Sequence, residues 1–368
     1  MAVVLSRPKH HRPRWHSLPV VAVDRITDEA VRVTLGVPPK LRSAFDFSAG
    51  QHLTFRRETG DGEEIRRSYS ICSTPSLLAD EGLLRVGIKA VKDGAFSQFA
   101  HSSLDAGSVV DVLPPLGNFT TAFDPGRSRH YGAIAAGSGI TPILSIVATA
   151  LTTEPDSRVT LVFGNKSTST VMFSDELADL KDLYADRFQL VHLLSREEQS
   201  APLLNGRIDG EKLAALFDGL IEPESVDEWF LCGPYGMVTG AQKKLADVGV
   251  PTDTVHTELF FAEEIPPPPP AEDGPAGDTD VTFVLDGRTS TVTMRRDERV
   301  LDAALRVRSE LPYACKGGVC ATCRAKVVDG GVHMLRNFAL DDSDVEAGYV
   351  LTCQSVPTSD RVVVDYDA

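Results

Sequence analysis

ACKGGVCATCRAKV, residues 314–327, carries Cys315, Cys320 and Cys323, and a fourth cysteine follows in LTCQS at Cys353. The spacing is C-x4-C-x2-C, then 29 residues, then C. Four thiolates at this spacing match a 2Fe–2S centre, two ferric ions with two sulfides. Gly317 and Gly318 let backbone wrap closely around such a centre. The N–H groups of the loop can then point at the sulfurs and tune the potential. Structural zinc is the alternative. Zinc sites usually draw on two short C-x2-C or H-x3-H pairs, whereas here one close triplet stands with one distant cysteine.

The residues around the loop describe a small domain. DVTFVLDGRTSTVTMRR reads as two strands joined at Asp286-Gly287, a type I′ turn dipeptide. VLDAALRVRSE reads as a helix, with Asp297 as its expected N-cap. An acidic run, Asp341, Asp342, Asp344 and Glu346, separates the third and fourth cysteines. It reads either as a solvated surface or as a docking patch for a redox partner.

Upstream, residues 262–278 read AEEIPPPPPAEDGPAGD. Five consecutive prolines favour an extended rod, and the acidic flanks resist compaction. The linker divides the chain. Before about residue 125, short alternating runs such as AVRVTLGV and LLRVGIKAV predict an antiparallel barrel or sandwich. Beyond it, apolar strands alternate with helical patterns, from YGAIAA through PILSIVATAL and VTLVFGN to EWFLCGP. That alternation predicts a parallel sheet covered by helices. The expected order is a basic arm over 1–17, a β domain over 18–124, an α/β domain over 125–261, the linker over 262–278 and the small domain over 279–368.

The 368-residue chain has a net charge of −15, which disfavours nucleic acid as a partner. No apolar run reaches the ~18 residues of a membrane span. MAVVLSRPKHHRPRWHS is basic without an apolar core, so it does not read as a signal peptide, and no membrane association is expected. The expected compartment is the cytoplasm, where six cysteines point to metal ligation or catalysis rather than disulfides.

A 2Fe–2S centre takes electrons one at a time, while a nicotinamide gives them as a hydride. A flavin can accept the pair and release it singly. The β domain is therefore expected to hold a flavin and the α/β domain a nicotinamide nucleotide. AIAAGSGITPILSI supports the second expectation. A strand ends at Ala136, Gly137-Ser138-Gly139 turns, and Pro142 stands where a helix is expected to begin. Bare glycine backbone and a helix N-terminus make a pyrophosphate site; a tight turn without ligand is the alternative. The following strands end in Asn165-Lys166 and Ser195-Arg196, with no acid for a ribose 2′-hydroxyl. Cations there suit a 2′-phosphate, hence NADPH. In RRSYSICS, residues 66–73, Arg67 and Tyr69 face the same way at period two, a charge for phosphate and a ring for a flavin.

Together these motifs resemble the ferredoxin–NADP reductase superfamily fused to a C-terminal plant-type 2Fe–2S ferredoxin of β-grasp fold. The resemblance implies FAD, with Tyr69 on the isoalloxazine, Arg67 on the pyrophosphate and Ser70 near flavin N5. It implies Lys89, Gly94, Ala95, Phe96 and Ser97 around the FAD phosphates. Gly137, Gly139, Thr141 and Pro142 match the nicotinamide-nucleotide loop, and Ser195 and Arg196 match the 2′-phosphate motif. LCGPYGM implies Cys232 beside the nicotinamide, with Gly233 and Pro234. HTELF implies Glu258 near the hydride path and Phe260 against the flavin, where plant reductases have tyrosine. Cys315, Cys320, Cys323 and Cys353 are the implied iron ligands.

GQHLTF, NGRIDGEKL, LPYACKGGVCATCRAKV and GYVLTCQSVPTSDRVVVDYDA are similar, more closely, to the reductase components of phenylacetyl-CoA epoxidases. That similarity implies a di-iron oxygenase on other chains as electron acceptor and phenylacetyl-CoA as the substrate epoxidised there. The rivals are the same role for a steroid hydroxylase or an aromatic-ring dioxygenase, an FMN-dependent phthalate-type reductase, and a non-enzymatic zinc or redox-sensing module. The proline rod is expected to let the small domain swing between flavin and partner.

Overall fold

In a computed structural model the described residues are 14–60, 62–260 and 277–368. The proline run and most of the basic arm lie outside them. His16–Pro266 forms one compact unit, and Pro267–Ala368 belongs to a second. No helix among the described residues is long and apolar enough to cross a membrane.

The first unit begins with strands β1 (His16–Thr27), β2 (Ala30–Gly36), β3 (His52–Glu58) and β4 (Glu64–Ser70). Helix α1 (Pro75–Glu81), β5 (Leu83–Lys89), α2 (Ala95–Ser102) and β6 (Val109–Val112) follow. The strands lie in the order β4-β3-β6-β1-β2-β5, every pair antiparallel. An Ile71↔Val86 bridge joins the two edges and closes the barrel. Alternation puts Val31, Val33, Leu35, Leu84, Val86 and Ile88 inside.

The chain then builds β7 (His130–Ala136), α3 (Ile140–Thr153), β8 (Arg158–Asn165), α4 (Ser174–Leu183) and β9 (Phe188–Leu194). It continues through α5 (Gly210–Gly219), β10 (Glu228–Gly233), α6 (Tyr235–Asp247) and β11 (Val255–Leu259). All strands are parallel, in the order β11-β10-β7-β8-β9. The order reverses between β7 and β10, the crevice where open parallel sheets bind ligands.

Barrel and parallel sheet share a core. Ala30, Ala49, Cys72 and Phe119 pack into the same cluster as Ile143, Ile146, Phe163 and Phe230. Arg32 on β2 pairs with Asp24 at 2.9 Å and with Glu176 on α4. The buried Ser145 hydroxyl donates to the Ser73 carbonyl at 2.7 Å. Gly87 is required at this seam: a Cβ there would lie 2.7 Å from Thr141 Cγ2 and 2.8 Å from Phe173 Cζ. The Cys72 thiol, buried in the seam, is pushed up to about 12 by desolvation.

The second unit contains β12 (Asp278–Leu285), β13 (Arg288–Arg295), α7 (Val300–Leu305), β14 (Arg324–Asp329) and β15 (Val332–Met334). Then come α8 (Asp342–Glu346), β16 (Tyr349–Leu351), β17 (Ser355–Pro357) and β18 (Arg361–Asp365). Its main sheet runs β13-β12-β18-β14-β16, with β12 and β18 parallel, and it has the β-grasp (α+β) form. Asp286 and Gly287 have φ of 55° and 64°, as a type I′ turn requires.

Two local expectations need correction. Asp297 does not cap α7; the helix starts at Val300 with Arg299 as N-cap. The Asp297 carboxylate instead accepts from Arg295 Nε at 2.8 Å, a neighbouring cation that competes with bare helix N–H groups. Pro142 is the third residue of α3, because Gly139 already has helical φ and ψ of −60° and −10°. Its missing N–H still falls in the first turn, where no intrahelical donor is needed. Half of the acidic run serves the fold. Asp341 caps α8 by accepting from Asp344 N at 2.8 Å, and Asp344 pairs with Arg324 at 2.7 Å.

Candidate active site and iron–sulfur loop

The end of β7 makes the Gly137–Gly139 turn. Gly137 has φ +54°, the left-handed region that glycine tolerates, and a Cβ there would meet nothing within 4 Å. Gly139 is pressed against β10, where a Cβ would lie 2.1 Å from the Cys232 carbonyl oxygen. One glycine opens the turn outward and the other fits it to the sheet. The Thr141 hydroxyl donates to the Ser138 carbonyl at 3.0 Å, so this buried side chain braces the turn. Pro142 is likewise buried behind it.

A cleft of about 780 Å³ opens from the turn. That volume lies within the usual range of small-molecule sites. Gly137, Ser195, Arg196 and Pro234 line it, as does Lys89 from the barrel. Gly139, Thr141 and Gly233 do not. Lys89 also pairs with Glu29 at 3.3 Å. Lys166 and Arg207 add two further cations. Lys166, Arg196 and Arg207 are exposed and form no ion pair among the described residues. The nearest acid at the strand ends, Glu197, is turned away, accepting from Thr168 N at 2.8 Å and Oγ1 at 2.7 Å. These donations hold its carboxyl below the usual range. The cleft therefore presents the Lys166, Arg196 and Arg207 cations, which suit a phosphate, and the Asp209 carboxylate on the same wall.

A second group of side chains meets where barrel and parallel sheet face each other. His52 and Ser70 are cross-strand partners in the barrel; Cys232 and Glu258 are partners in the parallel sheet. Ser70 Oγ donates to Glu258 Oε2 at 3.2 Å, and Cys232 Sγ lies 3.9 Å from the same oxygen. His52 Nδ1 stands 4.0 Å from Glu258 Oε1. The Glu258 side chain retains 11% exposure, so it touches both solvent and interior. Burial, and then the Glu258 carboxylate, push the Cys232 thiol well up, so it is a neutral donor. The structure thus brings together Ser70, Cys232 and Glu258, separated by up to 188 residues in sequence. Phe260 is partly buried against the shared core and its N–H donates to the Gly233 carbonyl at 3.4 Å.

In the barrel, Tyr69 packs on Phe96 and Phe55, with ring centroids 5.5 and 5.7 Å away. Such pairs are worth roughly 0.5–1.5 kcal/mol each beyond their area. Phe96 is 1% exposed, so its side chain belongs to the barrel core. Helix α2 begins at Ala95 with Gly94 as N-cap and no side-chain cap, leaving first-turn N–H groups for an anion. Ser97 Oγ accepts from Val91 N and donates to the Gly94 carbonyl, both at 3.1 Å, which fixes the preceding loop. Arg67 is exposed on β4, two residues from Tyr69 and therefore on the same face. Uncapped helix donors, an exposed cation and a packed aromatic platform fit a flavin dinucleotide.

The cysteine loop takes left-handed φ at Lys316 (50°), Gly318 (81°) and Ala321 (52°). This turns successive N–H groups inward. Gly317 N donates to Cys315 Sγ at 3.3 Å, and Gln354 Nε2 stands 3.7 Å from Cys353 Sγ. The thiols influence one another in two pairs, Cys315 with Cys320 and Cys323 with Cys353. The neighbouring Cys320 lowers Cys315 to about 7, and Cys323 lowers Cys353; the shared proton, and then burial, raise their partners. Among the described residues no three donors converge as around one ion. Two such pairs would supply two sulfurs to each of two irons, with the Gly317 N–H and the Gln354 amide near the sulfurs. This donor set fits a 2Fe–2S cluster.

His52, Lys166, Arg207 and Gln354 thus join the residues singled out from sequence. Asn165-Lys166 was visible as a strand end. The others stand inside GQHLTF, NGRIDGEKL and LTCQS without a spacing that marks them.

Comparisons with known proteins agree with this architecture. Residues 17–121 match the oxidoreductase FAD-binding domain model, 133–243 the oxidoreductase NAD-binding domain, and 283–358 the 2Fe-2S iron-sulfur cluster binding domain. The chain is 45% identical to a subunit of the 1,2-phenylacetyl-CoA epoxidase of Escherichia coli K12, over 96% of this chain and 98% of that one. It is 32% identical to the ferredoxin reductase component of 3-ketosteroid-9-alpha-monooxygenase from Rhodococcus rhodochrous, over 97% and 98%. Phthalate dioxygenase reductase shares the fold at 20% identity, with a TM-score of 0.56, covering 95% of this chain and 98% of that one. An intact type IV self-sufficient cytochrome P450 monooxygenase gives a TM-score of 0.69 at 22% identity; 95% of this chain matches 41% of its length. The chain belongs to the family of oxygenase reductase components, oxidoreductases that join FAD-binding, NAD-binding and 2Fe–2S ferredoxin domains in one polypeptide.

Proposed function

We propose that the chain is the NADPH-dependent reductase of a phenylacetyl-CoA ring-epoxidising complex, delivering electrons to a di-iron oxygenase carried on other chains. The observation that carries the redox half is the meeting of Ser70, Cys232 and Glu258 at the seam between barrel and parallel sheet. Identity to the Escherichia coli epoxidase component, 45% against 32% for the steroid-system reductase, favours this acceptor over the rival.

When bound, the nicotinamide supplies a hydride, FAD splits the electron pair, and the cluster carries single electrons onward. The chain's own residues position these groups. Gly137 and Pro234 receive the nucleotide, with Gly139, Thr141, Pro142 and Gly233 bracing its turn. Ser195 and Arg196, together with Lys166 and Arg207, take the 2′-phosphate, which is the reason for NADPH over NADH. Tyr69 would provide the flavin platform and Phe260 would lie against the flavin, while Arg67 and the Gly94–Ser97 turn would hold phosphates. Lys89 lies at the barrel's edge of the nucleotide cleft. Ser70 presents its hydroxyl where flavin N5 is expected. Glu258 accepts from that hydroxyl and orients it, while neutral Cys232 keeps an uncharged face toward the nicotinamide. Cys315, Cys320, Cys323 and Cys353 hold the cluster.

The six cysteines are free thiols, which accords with a cytoplasmic setting. Reconstitution with the candidate oxygenase chains tests the whole reading. NADPH consumption should depend on phenylacetyl-CoA; consumption coupled to a steroid or an arene instead would replace the acceptor while leaving the reductase intact.

A further inference from the structure

We propose that Gln354 is a positioning residue that clamps the Cys353 ligand to the cysteine loop, and that its amide N–H raises the cluster's reduction potential. The inference rests on the four-cysteine reading. Gln354 is 1% exposed and is the single glutamine of residues 277–368. Its Nε2 donates to the Lys316 carbonyl and to the Cys353 carbonyl, each at 2.8 Å, and lies 3.7 Å from Cys353 Sγ. One N–H therefore reaches back to the loop that carries Cys315 and Cys320. The other lies between the carbonyl and the sulfur of Cys353.

Chemistry settles which way the amide points. Reversed, Oε1 would face two carbonyl oxygens. As it stands, Oε1 finds no hydrogen-bond partner among the described residues. A buried acceptor without a partner is a standing cost that an apolar side chain would avoid. The donor end gives the residue its purpose. Gly318, with φ +81°, leaves room for it: a Cβ there would come within 3.0 Å of Gln354 Cγ. Loop glycine and buried amide are thus fitted to each other.

Reduction adds a negative charge that the cluster sulfurs share, so a donor aimed at Cys353 favours the reduced form. Gln354→Met keeps length and burial without the donor. In the full-length holoprotein, redox titration followed by EPR should show the variant's cluster shifted to more negative potential. The expected change is three- to tenfold in the reduction equilibrium, at most about 59 mV for one electron. A merely structural role would lower iron content and leave the potential of the remaining clusters unchanged, and an unshifted potential overturns the proposal. Should the variant retain no cluster, the wild-type chain carrying side-chain 15N-glutamine decides. Pulsed EPR of the reduced cluster should then reveal a nitrogen coupling; its absence overturns the proposal. A wild-type protein without any 2Fe–2S signal would instead remove the four-cysteine reading beneath it.

Discussion

The cysteine loop and the Glu258 pocket are held in different ways. In the loop, three of four sulfurs lie within nine residues, and backbone N–H groups together with the Gln354 amide supply hydrogen bonds. In the pocket, four side chains come from β3, β4, β10 and β11; register aligns each pair, and the packing of barrel on parallel sheet brings the pairs together. The loop stores its geometry locally, whereas the pocket depends on how two packed layers meet. Loss of a loop sulfur should therefore be all-or-none, an empty or a filled site. Changes in the pocket should be graded, acting on a rate while the cofactors stay bound.

The largest effect tests the first half of that contrast. Cys353→Ser should abolish the cluster and reduce electron delivery to a protein acceptor by at least about 100-fold. Iron analysis and dye-linked flavin turnover check it, the latter staying near wild-type. Glu258→Gln should slow hydride transfer by about 100-fold with flavin content unchanged, read by single-turnover stopped flow. Arg196→Ala should raise KM for NADPH about tenfold with kcat and NADH turnover unchanged, as loss of a uniform phosphate contact requires. His52→Gln touches the pocket through Glu258 and should slow hydride transfer about threefold, ~0.6 kcal/mol in the barrier. A Cys353 variant with a partly functional cluster, or a Glu258 variant that loses its flavin, would break the contrast.

The same difference explains what was legible beforehand. C-x4-C-x2-C spacing is a covalent property, so the four cysteines proposed to hold the cluster, the strands flanking Asp286-Gly287 and the β7–turn–α3 unit could be read directly. The left-handed Ala321 could not, because only the assembled loop imposes that conformation on a residue with a Cβ. Arg207 stands 11 residues beyond Arg196. It reaches the cleft because a Leu194↔Asn205 bridge folds the intervening loop back on β9. Ser70, Cys232 and Glu258 could be named only through resemblance; their meeting needs two sheets in place. Asp297 and Pro142 show the opposite limit. Local capping signals were present, but a nearby arginine and an early helical glycine moved the helix starts.

Anaerobic stopped-flow mixing of the purified full-length protein with NADPH tests the central claim most directly. Flavin absorbance should bleach first, cluster absorbance should follow, and frozen samples should show one reduced 2Fe–2S centre per chain by EPR. A flavin that is reduced while the cluster stays oxidised, or a protein with neither pigment nor iron, would contradict the account.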